Sequence, residues 1–352
     1  MKNINDKNEN EKLAFESRDS KKFVNPATPV RVFIATTNKC NLKCPICPNS
    51  ESNKGKELPY EVFLKLADEL FPLAKEYHTT VSGEPLLTSY FKEIPSILLN
   101  YDTKMNLTTN GMMLTEDISR LIMPVLNDIK ISFDGATKKT FEKIRPGSNL
   151  EIIVSNINNF IKIRSSSIYK PTLTLQTTLM RDNVKELPEI VKIAYDLGAD
   201  RIKAYFMIVY NPEYKDKSLW FHKKLTNEYL GITDELVKSY GLKSKLPKKF
   251  NLEESSNKYK FTNIICHFLW QEAWIEVNGD VVSCCNINRH FIGNIYENSF
   301  SQIWNNKIYQ DMRKRLNTDN PYECCKDCAL VNEFRLNGMD YSYKSLISKR
   351  CG

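Results

Sequence analysis

Three cysteines lie within eight residues near the N-terminus: Cys40, Cys44 and Cys47, in the order C-x3-C-x2-C. Loops this short let three thiolates turn toward one centre, so that each can bind a different iron of a cubane cluster. Complete four-iron clusters and tetrahedral zinc sites normally have four protein ligands. A set of three therefore implies a fourth ligand from outside the protein. A zinc site that borrows a distant His or Cys, or a chance group of buried cysteines, stays open as the alternative.

A second group of cysteines lies in the C-terminal quarter of the chain. Its spacing is C-x12-G-x4-C, and a C-x2-C pair follows after a gap. Two further cysteines are each adjacent to a member of this pattern. In a reducing compartment, thiols at such close spacing indicate metal binding rather than disulfides. A structural zinc ion and an iron–sulfur cluster are both compatible with four cysteines.

The composition is that of an ordinary globular protein with room for two units. The chain has 352 residues, of which 41% are hydrophobic and 26% charged, so it can bury a core. The net charge is +8, and six lysines fall between Lys243 and Lys260. We interpret this stretch as a solvated loop, with a patch that contacts an anionic substrate as the alternative. Net charge is the one feature that would favour a nucleic-acid partner, and we do not expect such a partner.

The chain has neither a membrane-spanning run nor a signal sequence. No apolar run approaches the ~18 residues that a spanning helix needs, and the N-terminal residues are polar. A signal peptide requires an apolar core in that region. We therefore expect a cytoplasmic protein, and the sequence leaves its oligomeric state open.

Strand-like and helix-like stretches alternate through the first two thirds of the chain. Six β-branched or aromatic runs predict strands, at 31–36, 77–82, 104–109, 128–133, 172–178 and 201–209. Amphipathic stretches between them predict helices, at 59–71, 89–100, 115–123, 150–165 and 184–197. This alternation predicts an α/β fold with a parallel sheet, and six units suit a partial (β/α)6 TIM-like barrel. Ligands collect at the carboxyl ends of such strands, where the three-cysteine loop follows the first strand.

The sequence pattern changes at Cys266. The segment that follows predicts a hairpin turning on Asn278 and Gly279, a pair suited to a type I′ turn. Residues 299–316 predict one helix, and residues 223–240 predict another before the Cys266 region. A small α+β unit therefore follows the barrel.

The cysteine loop and the segments after the next three strands resemble the radical S-adenosylmethionine (radical SAM) superfamily. These segments are "SGEP" at 82–85, "LTTNG" at 107–111 and "ISFDG" at 131–135. The resemblance implies a [4Fe–4S] cluster held by the three cysteines, with S-adenosylmethionine on the open iron. It also implies reductive cleavage to a 5′-deoxyadenosyl radical, fed by an external flavodoxin- or ferredoxin-type reductant. The usual aromatic before the third cysteine is Ile46 here, and the usual first glycine of the second segment is Ser82.

The same resemblance implies which residues bind the cosubstrate. The exposed backbone around the second strand and the Glu84 carboxylate would hold its ammonium group. Later strand ends would contact its ribose and carboxylate. The candidates are Ser82, Gly83, Glu84, Asn110, Ser132, Asp134 and Arg145. Four more residues are expected near the same mouth, namely Gln176, Thr178, Lys203 and Tyr205.

The C-terminal cysteine pattern resembles the auxiliary-cluster domain called SPASM in its full form and twitch in its shortened form. The resemblance implies one auxiliary [4Fe–4S] cluster with full protein ligation by Cys266, Cys284, Cys325 and Cys328. The neighbouring Cys285 and Cys324 could exchange roles with their partners. Cys351 is expected to be a free thiol. We therefore expect a flexible tail or frayed helix over 1–28, the barrel over 29–210, a helical connector with the Lys-rich loop over 211–262, and the auxiliary-cluster domain over 263–352.

Together the two resemblances imply an oxidoreductase. Hydrogen abstraction followed by transfer of the second electron to the auxiliary cluster would dehydrogenate a substrate. Only about 28 residues precede the barrel, so we expect no fused peptide-recognition module and favour a small polar or sugar-like substrate. Modification or epimerisation of a ribosomal peptide is the alternative. A non-catalytic iron–sulfur or zinc protein is the alternative of another class.

Overall fold

The computed structural model describes residues 6–47, 55–79, 82–209, 212–252, 265–285, 289–316, 318–326 and 328. Within these residues, ten strands form one continuous sheet in the order β10-β9-β8-β1-β2-β3-β4-β5-β6-β7. The strands are β1 Arg31–Ile34, β2 Glu76–His78, β3 Lys104–Thr109, β4 Leu126–Ser132, β5 Thr172–Leu179, β6 Arg201–Phe206, β7 Lys243–Lys245, β8 Glu272–Ile275, β9 Asp280–Val282 and β10 Phe291–Asn294.

Helices connect the strands and cover one face of the sheet. They are α1 Lys7–Asp19, α2 Tyr60–Leu70, α3 Ile94–Asn100, α4 Glu116–Ile122, α5 Lys138–Ile144, α6 Leu150–Ser166, α7 Leu187–Asp196, α8 Lys223–Ser239, α9 Phe268–Gln271, α10 Phe300–Trp304, α11 Lys307–Arg315 and α12 Glu323–Lys326. Short 3-10 turns cover Pro85–Leu87, Phe91–Glu93, Val184–Glu186, Pro212–Lys217 and Leu219–His222. None of the described helices is long and apolar enough to cross a membrane.

Strands β1 to β7 are parallel, and their two faces differ in chemistry. On one face, side chains such as Val32 of β1, Leu107 of β3 and Ile131 of β4 point toward the helices and are fully buried. The residues between them include Asn106 and Lys130, which line the opposite, concave face. This period of two places an apolar core under the helices and leaves polar side chains inside the barrel. The expected α/β fold, a partial barrel followed by a small C-terminal unit, is confirmed.

The sheet extends past the six predicted strands on both sides. β7 pairs in parallel with β6 and lies inside the stretch expected to be a solvated Lys-rich loop. On the other side, β8 pairs in parallel with β1, and its register places Phe33 opposite Trp274. The antiparallel β9 and β10 follow. The C-terminal unit therefore continues the barrel sheet through hydrogen bonds.

The N-terminal segment, expected to be a flexible tail or frayed helix, forms a helix that packs into the fold. Asp6 caps α1 by accepting hydrogen bonds from two backbone N–H groups, and the helix buries Asn10. The amide of Asn10 donates to the Thr28 carbonyl oxygen at 2.9 Å. The indole of Trp304 donates to the Ala27 carbonyl oxygen at 2.7 Å. The first 28 residues thus link the barrel to the C-terminal unit as far as the structure describes them.

Two details of the C-terminal unit differ from the expectation. The predicted hairpin forms between β8 and β9, but only Gly279 in its turn has a positive φ, +85°. The Glu276 N–H donates to the Asp280 carbonyl oxygen at 2.8 Å, so the loop between these two residues has three residues and is not a type I′ turn. The single helix predicted over 299–316 is divided into α10 and α11, because Asn306 caps the second helix with its side chain.

Candidate functional site

A cavity of about 370 Å³ opens where the six parallel strands β1 to β6 end. Segments that follow each of these strands contribute to its wall. The lining residues are Cys40, Leu42, Cys44, Ile46, Cys47, Gly83, Glu84, Thr108, Thr109, Asn110, Ser132, Arg145, Thr178, Tyr205, Phe206, Met207 and Ile208. The fold therefore brings together, in one pocket, the three N-terminal cysteines and most of the predicted binding residues.

The cysteine loop is held against the loop after α5. The Lys43 N–H donates to the Pro146 carbonyl oxygen at 3.0 Å. Burial raises the pKa of Cys44 to about 11, and the charge of Arg145 opposes that rise. Burial also raises the pKa of Cys40, and a hydrogen bond from the Leu42 N–H to its sulfur, at 3.4 Å, opposes it. Metal ligation needs thiolates, so the adjacent guanidinium favours the ligating form.

The turn after β2 fits beneath the cysteine loop because it contains a glycine. Gly83 has a φ of +71°, and a Cβ there would lie 2.6 Å from the Thr37 carbonyl oxygen and 2.7 Å from that of Lys39. The next residue, Glu84, donates its N–H to the Lys39 carbonyl oxygen at 2.7 Å. Only glycine permits this approach. Ser82 precedes it and is half-buried.

The Glu84 carboxylate lies in the cavity wall and is hydrogen-bonded to neighbouring parts of the chain. It is buried and accepts hydrogen bonds from the Thr109 hydroxyl at 2.7 Å and from the Asn110 N–H at 2.7 Å. It also accepts from the Leu86 N–H at 3.3 Å. Burial raises the pKa of Glu84, and these donors oppose the rise. The carboxylate therefore ties the turn after β2 to the end of β3, and its Oε2, which accepts one of these bonds, keeps capacity for a ligand.

Asn110 follows the end of β3, and its side chain forms hydrogen bonds within the protein. Its amide N–H donates to the Asn41 side-chain oxygen at 2.8 Å, and its oxygen accepts from the Met112 N–H at 2.9 Å. The first contact connects β3 to the cysteine loop. Asn110 thus shapes the cavity wall and keeps part of its hydrogen-bonding capacity for a ligand.

Asp134 lies behind Arg145 and not in the cavity wall. Its Oδ2 accepts hydrogen bonds from Nε and Nη2 of Arg145, both at 2.7 Å. Its Oδ1 accepts from the Thr178 N–H at 2.6 Å, and the residue is fully buried. The prediction that Asp134 contacts the cosubstrate is therefore corrected: it positions the guanidinium that lines the cavity. Burial lowers the pKa of Arg145, but Asp134 and the Cys44 thiol raise it above its ordinary value.

The remaining wall combines residues that the sequence placed near the mouth with residues that it did not single out. Ser132 and Thr178 face the cavity from β4 and β5, and Tyr205 faces it from β6. Ile46 packs against Met180, Met207 and two other buried residues. Thr108, Leu42 and Met207 were not predicted, because a hydroxyl or an apolar side chain at a strand end carries no chemical signature of its own.

Six C-terminal cysteines lie in the described part of the auxiliary unit. Cys266 and Cys324 are buried, Cys284, Cys325 and Cys328 are half-buried, and Cys285 is exposed. Burial and the nearby Cys328 thiol raise the pKa of Cys266. The Cys324 thiol, together with burial and the Cys266 and Cys284 thiols, raises that of Cys325. The four predicted ligands are thus electrostatic neighbours, and so are Cys324 and Cys285, since the Cys328 thiol adds to the effect of burial in raising the pKa of Cys285. Cys351 lies outside the described residues.

The donor sets fit iron–sulfur clusters at both places. Three thiols beside a cavity with an arginine and an asparagine suit a cluster that leaves one iron for an organic ligand with a carboxylate. Four further thiols suit a fully ligated cluster. Among the described residues, no three His, Cys, Asp or Glu side chains converge closely enough for a single metal ion. The assignment of clusters therefore follows from the number of thiols and from their position beside the cavity and in the C-terminal unit.

Comparison with known families agrees with this donor chemistry. The model of the radical SAM superfamily matches residues 34–212, from the end of β1 to beyond β6. The chain belongs to the radical SAM superfamily. A second model, SPASM, described as an iron–sulfur cluster-binding domain, matches residues 266–329. This radical SAM protein thus has a C-terminal SPASM domain, and the expected cofactors, [4Fe–4S] clusters and S-adenosylmethionine, are confirmed.

Curated relatives of this radical SAM chain have several activities. A tungsten-containing aldehyde ferredoxin oxidoreductase cofactor-modifying protein from Pyrococcus furiosus is 24% identical over 85% of this chain and 87% of its own length. A probable GTP 3′,8-cyclase from Archaeoglobus fulgidus is 26% identical over 50% of this chain and 58% of its own. A PqqA peptide cyclase from Bradyrhizobium diazoefficiens is 26% identical over 50% and 46%. The chain thus spans about half the length of the latter two.

Solved structures share the fold at low identity. SuiB from Streptococcus suis, bound to precursor peptide SuiA, has a TM-score of 0.65 at 14% identity, covering 97% of this chain and 77% of that chain. Native anSMEcpe with bound AdoMet has a TM-score of 0.64 at 18% identity, covering 88% of both chains. These matches confirm the architecture of barrel and C-terminal unit.

Proposed function

We propose that this radical SAM protein is an enzyme that modifies a peptide or protein by abstracting hydrogen from one of its C–H bonds. The observation that carries the proposal is the cavity in which Cys40, Cys44 and Cys47 meet Arg145 and Asn110. The sequence favoured dehydrogenation of a small polar or sugar-like compound. The relatives support the alternative better, because one is a peptide cyclase and another modifies the cofactor of an enzyme.

The residues of the chain have separable roles in this proposal. Cys40, Cys44 and Cys47 hold the first cluster, and Arg145, oriented by Asp134, pairs with the carboxylate of S-adenosylmethionine. The backbone at Ser82 and Gly83 lies against the cysteine loop and offers carbonyl oxygens to the ammonium group, with Asn110 and Ser132 in the wall nearby. When bound, the cluster and cosubstrate supply a 5′-deoxyadenosyl radical.

The second cysteine group completes the proposed chemistry. Cys266, Cys284, Cys325 and Cys328 hold the auxiliary cluster, which gives an oxidation a place for its second electron. Three rings stack face to face across β2, β1 and β8, with centroids 4.1 Å apart for Phe33 and His78 and 3.7 Å apart for Phe33 and Trp274. Their faces cover one another, so the stack stiffens the junction between the barrel and the C-terminal unit.

The first experiment tests radical formation. Protein purified and reconstituted with iron and sulfide without oxygen is supplied with dithionite, which replaces the biological reductant, and S-adenosylmethionine. We expect 5′-deoxyadenosine by chromatography, and its loss in Cys44→Ala. If wild-type protein with a full iron content makes no 5′-deoxyadenosine, the enzyme proposal is wrong and a non-catalytic iron–sulfur protein remains.

The second experiment tests the substrate class. Reconstituted enzyme is incubated in D2O with peptide pools and, separately, with sugar pools, and products are measured by mass spectrometry. Loss of two hydrogens from a peptide indicates oxidation or crosslinking, whereas uptake of one deuterium at unchanged composition indicates epimerisation. Turnover of sugars alone would refute the peptide assignment and restore the small-molecule reading.

A further inference from the structure

The concave face of the sheet carries a cluster of cations beside the cavity. We call it the basic stripe, and its members are Lys130, Arg201, Lys203, Lys243 and Lys245. Strand register places them on one face. Arg201 pairs with Lys243, and Lys203 pairs with Lys245, so each pair points to the same side of the sheet. Ile202 and Ala204, between them on β6, are buried toward the helices.

The described residues pair only one of these cations with a carboxylate. Lys130 pairs with the Asp128 carboxylate at 2.5 Å. In the ranges that the structure describes, the other four members form no ion pair. Lys203 is half-buried, and burial lowers its pKa; the neighbouring Lys130 and Arg201 lower it further, whereas Asp128 opposes them. Holding like charges together in a partly buried place costs stability unless an anion binds there.

The basic stripe lies next to the cavity at the open end of the sheet. Tyr205, two residues after Lys203 on the same face, lines the cavity. β7 is the last strand of the sheet as described, and all three of its residues are exposed. Among the described residues no strand pairs with its outer edge, where backbone N–H and C=O groups can pair with another strand. A ligand along β7 could reach the cavity past Lys203 and Tyr205.

We propose that the basic stripe binds an acidic segment of the peptide substrate, which lies along β7 as an added extended strand. The inference rests on the proposed function and adds how the substrate is recognised. Residues two apart in a strand are about 6.6 Å apart on one face. Aspartate or glutamate at alternate positions of an extended peptide would therefore face Lys243 and Lys245 together. Pairing of the backbone gives affinity, and the cations select the sequence.

The test measures binding to the full-length reconstituted protein by fluorescence anisotropy. The probes are a labelled peptide of four Glu-Ala repeats, the same peptide with Gln for Glu, and a single-stranded oligonucleotide of equal charge. We expect the Glu peptide to bind in a salt-dependent manner and better than the other two. The double variant Lys243→Gln, Lys245→Gln should bind it at least about fivefold more weakly.

A matched control separates the site from general electrostatics. Lys224→Gln with Lys238→Gln removes the same charge from exposed positions on α8, and we expect binding close to that of wild type. Lys243→Glu with Lys245→Glu should instead bind a Lys-Ala peptide, which wild type should not. The proposal is overturned if the α8 control weakens binding equally, if the Gln peptide or oligonucleotide binds as tightly as the Glu peptide, or if the charge reversal gains no affinity.

The result is distinguishable from failure of the proposed function. Formation of 5′-deoxyadenosine and a mass change in a peptide test the enzyme, whereas anisotropy with the Glu-Ala probe tests only the basic stripe. An enzyme that modifies peptides without affinity for the Glu-Ala probe would refute the inference and leave the function intact.

Discussion

Replacing Asp134 with Asn removes the charge that holds Arg145 and barely changes the side-chain volume. Oδ2 of Asp134 accepts two hydrogen bonds from Arg145 at 2.7 Å, and Oδ1 accepts one from the Thr178 N–H at 2.6 Å. An Asn side chain offers one oxygen and two N–H donors. Whichever way the amide is turned, its NH2 group faces either the guanidinium or the Thr178 N–H.

The expected cost is large because both partners are enclosed. Removing one partner of a buried ion pair destabilises a protein by about 3–5 kcal/mol. Asp134 is fully buried and the Arg145 side chain is 14% exposed, so water compensates only slightly. We therefore expect Asp134→Asn to lower the free energy of unfolding by about 3 kcal/mol. The misplaced guanidinium should also weaken binding of S-adenosylmethionine about tenfold or more, the value of one charge-assisted hydrogen bond.

Urea unfolding and anaerobic titration calorimetry measure the two effects. The matched control is Glu116→Gln, which breaks the Glu116–Arg120 pair at 2.6 Å, where the Arg and Glu side chains are 61% and 56% exposed. That variant should unfold within about 0.5 kcal/mol of wild type. If Asp134→Asn were as mild as the control, the pair would not be the buried anchor described here. Reduced stability with unchanged affinity would remove Arg145 from the binding site.

Three further predictions address other parts of the site. Gly83→Ala should abolish 5′-deoxyadenosine formation and lower the free energy of unfolding, measured in urea, by about 2 kcal/mol or more. Gly198 has the same φ of +71°, but a Cβ there would have no atom within 4 Å, so Gly198→Ala should lower the free energy of unfolding by about 1 kcal/mol. Burial lowers the pKa of His78 below its ordinary 6.5. As the pH drops below 6.5, the unfolded chain therefore takes up a proton at this residue before the folded chain does, and the free energy of unfolding decreases. His78→Gln should show a smaller decrease in the free energy of unfolding between pH 7 and 5. Cys284→Ser should lower the iron content by about four per chain, and Cys285→Ser should leave it unchanged; the reverse result would exchange the two ligands.

Sequence patterns predicted the elements that bury apolar side chains. β3 and β5 were placed within one residue of their observed ends, because β-branched and apolar residues alternate along them. The charged strand β7 was read as a loop, since a Lys-Ser-Lys run has no apolar alternation and forms only because β6 offers an edge. α1 was read as a tail or frayed helix because it buries Asn10 and Ser17 rather than large apolar residues.

Site residues that are recognised by their spacing along the chain were predicted correctly to lie at the cavity. The role of a residue that depends on a side-chain contact with a distant part of the fold was not predicted. The three cysteines and Gly83 are identified by spacing and by a backbone requirement, and both reach the cavity. Asp134 was assigned to the ligand because it follows a strand end. Its actual partner, Arg145, is brought to it by α5, a helix that the sequence reading missed. Which of two polar neighbours faces a ligand is decided by such tertiary contacts.

The parallel pairing of β8 with β1 makes the two halves of the protein one hydrogen-bonded body. Each half supplies backbone partners to the other over Arg31–Ile34 and Glu272–Ile275. A shortened chain that stopped before β8 would leave the first barrel strand with a bare edge, which is a template for aggregation. The region that holds the second set of cysteines therefore also covers the edge of β1. We expect a barrel expressed without this region to aggregate.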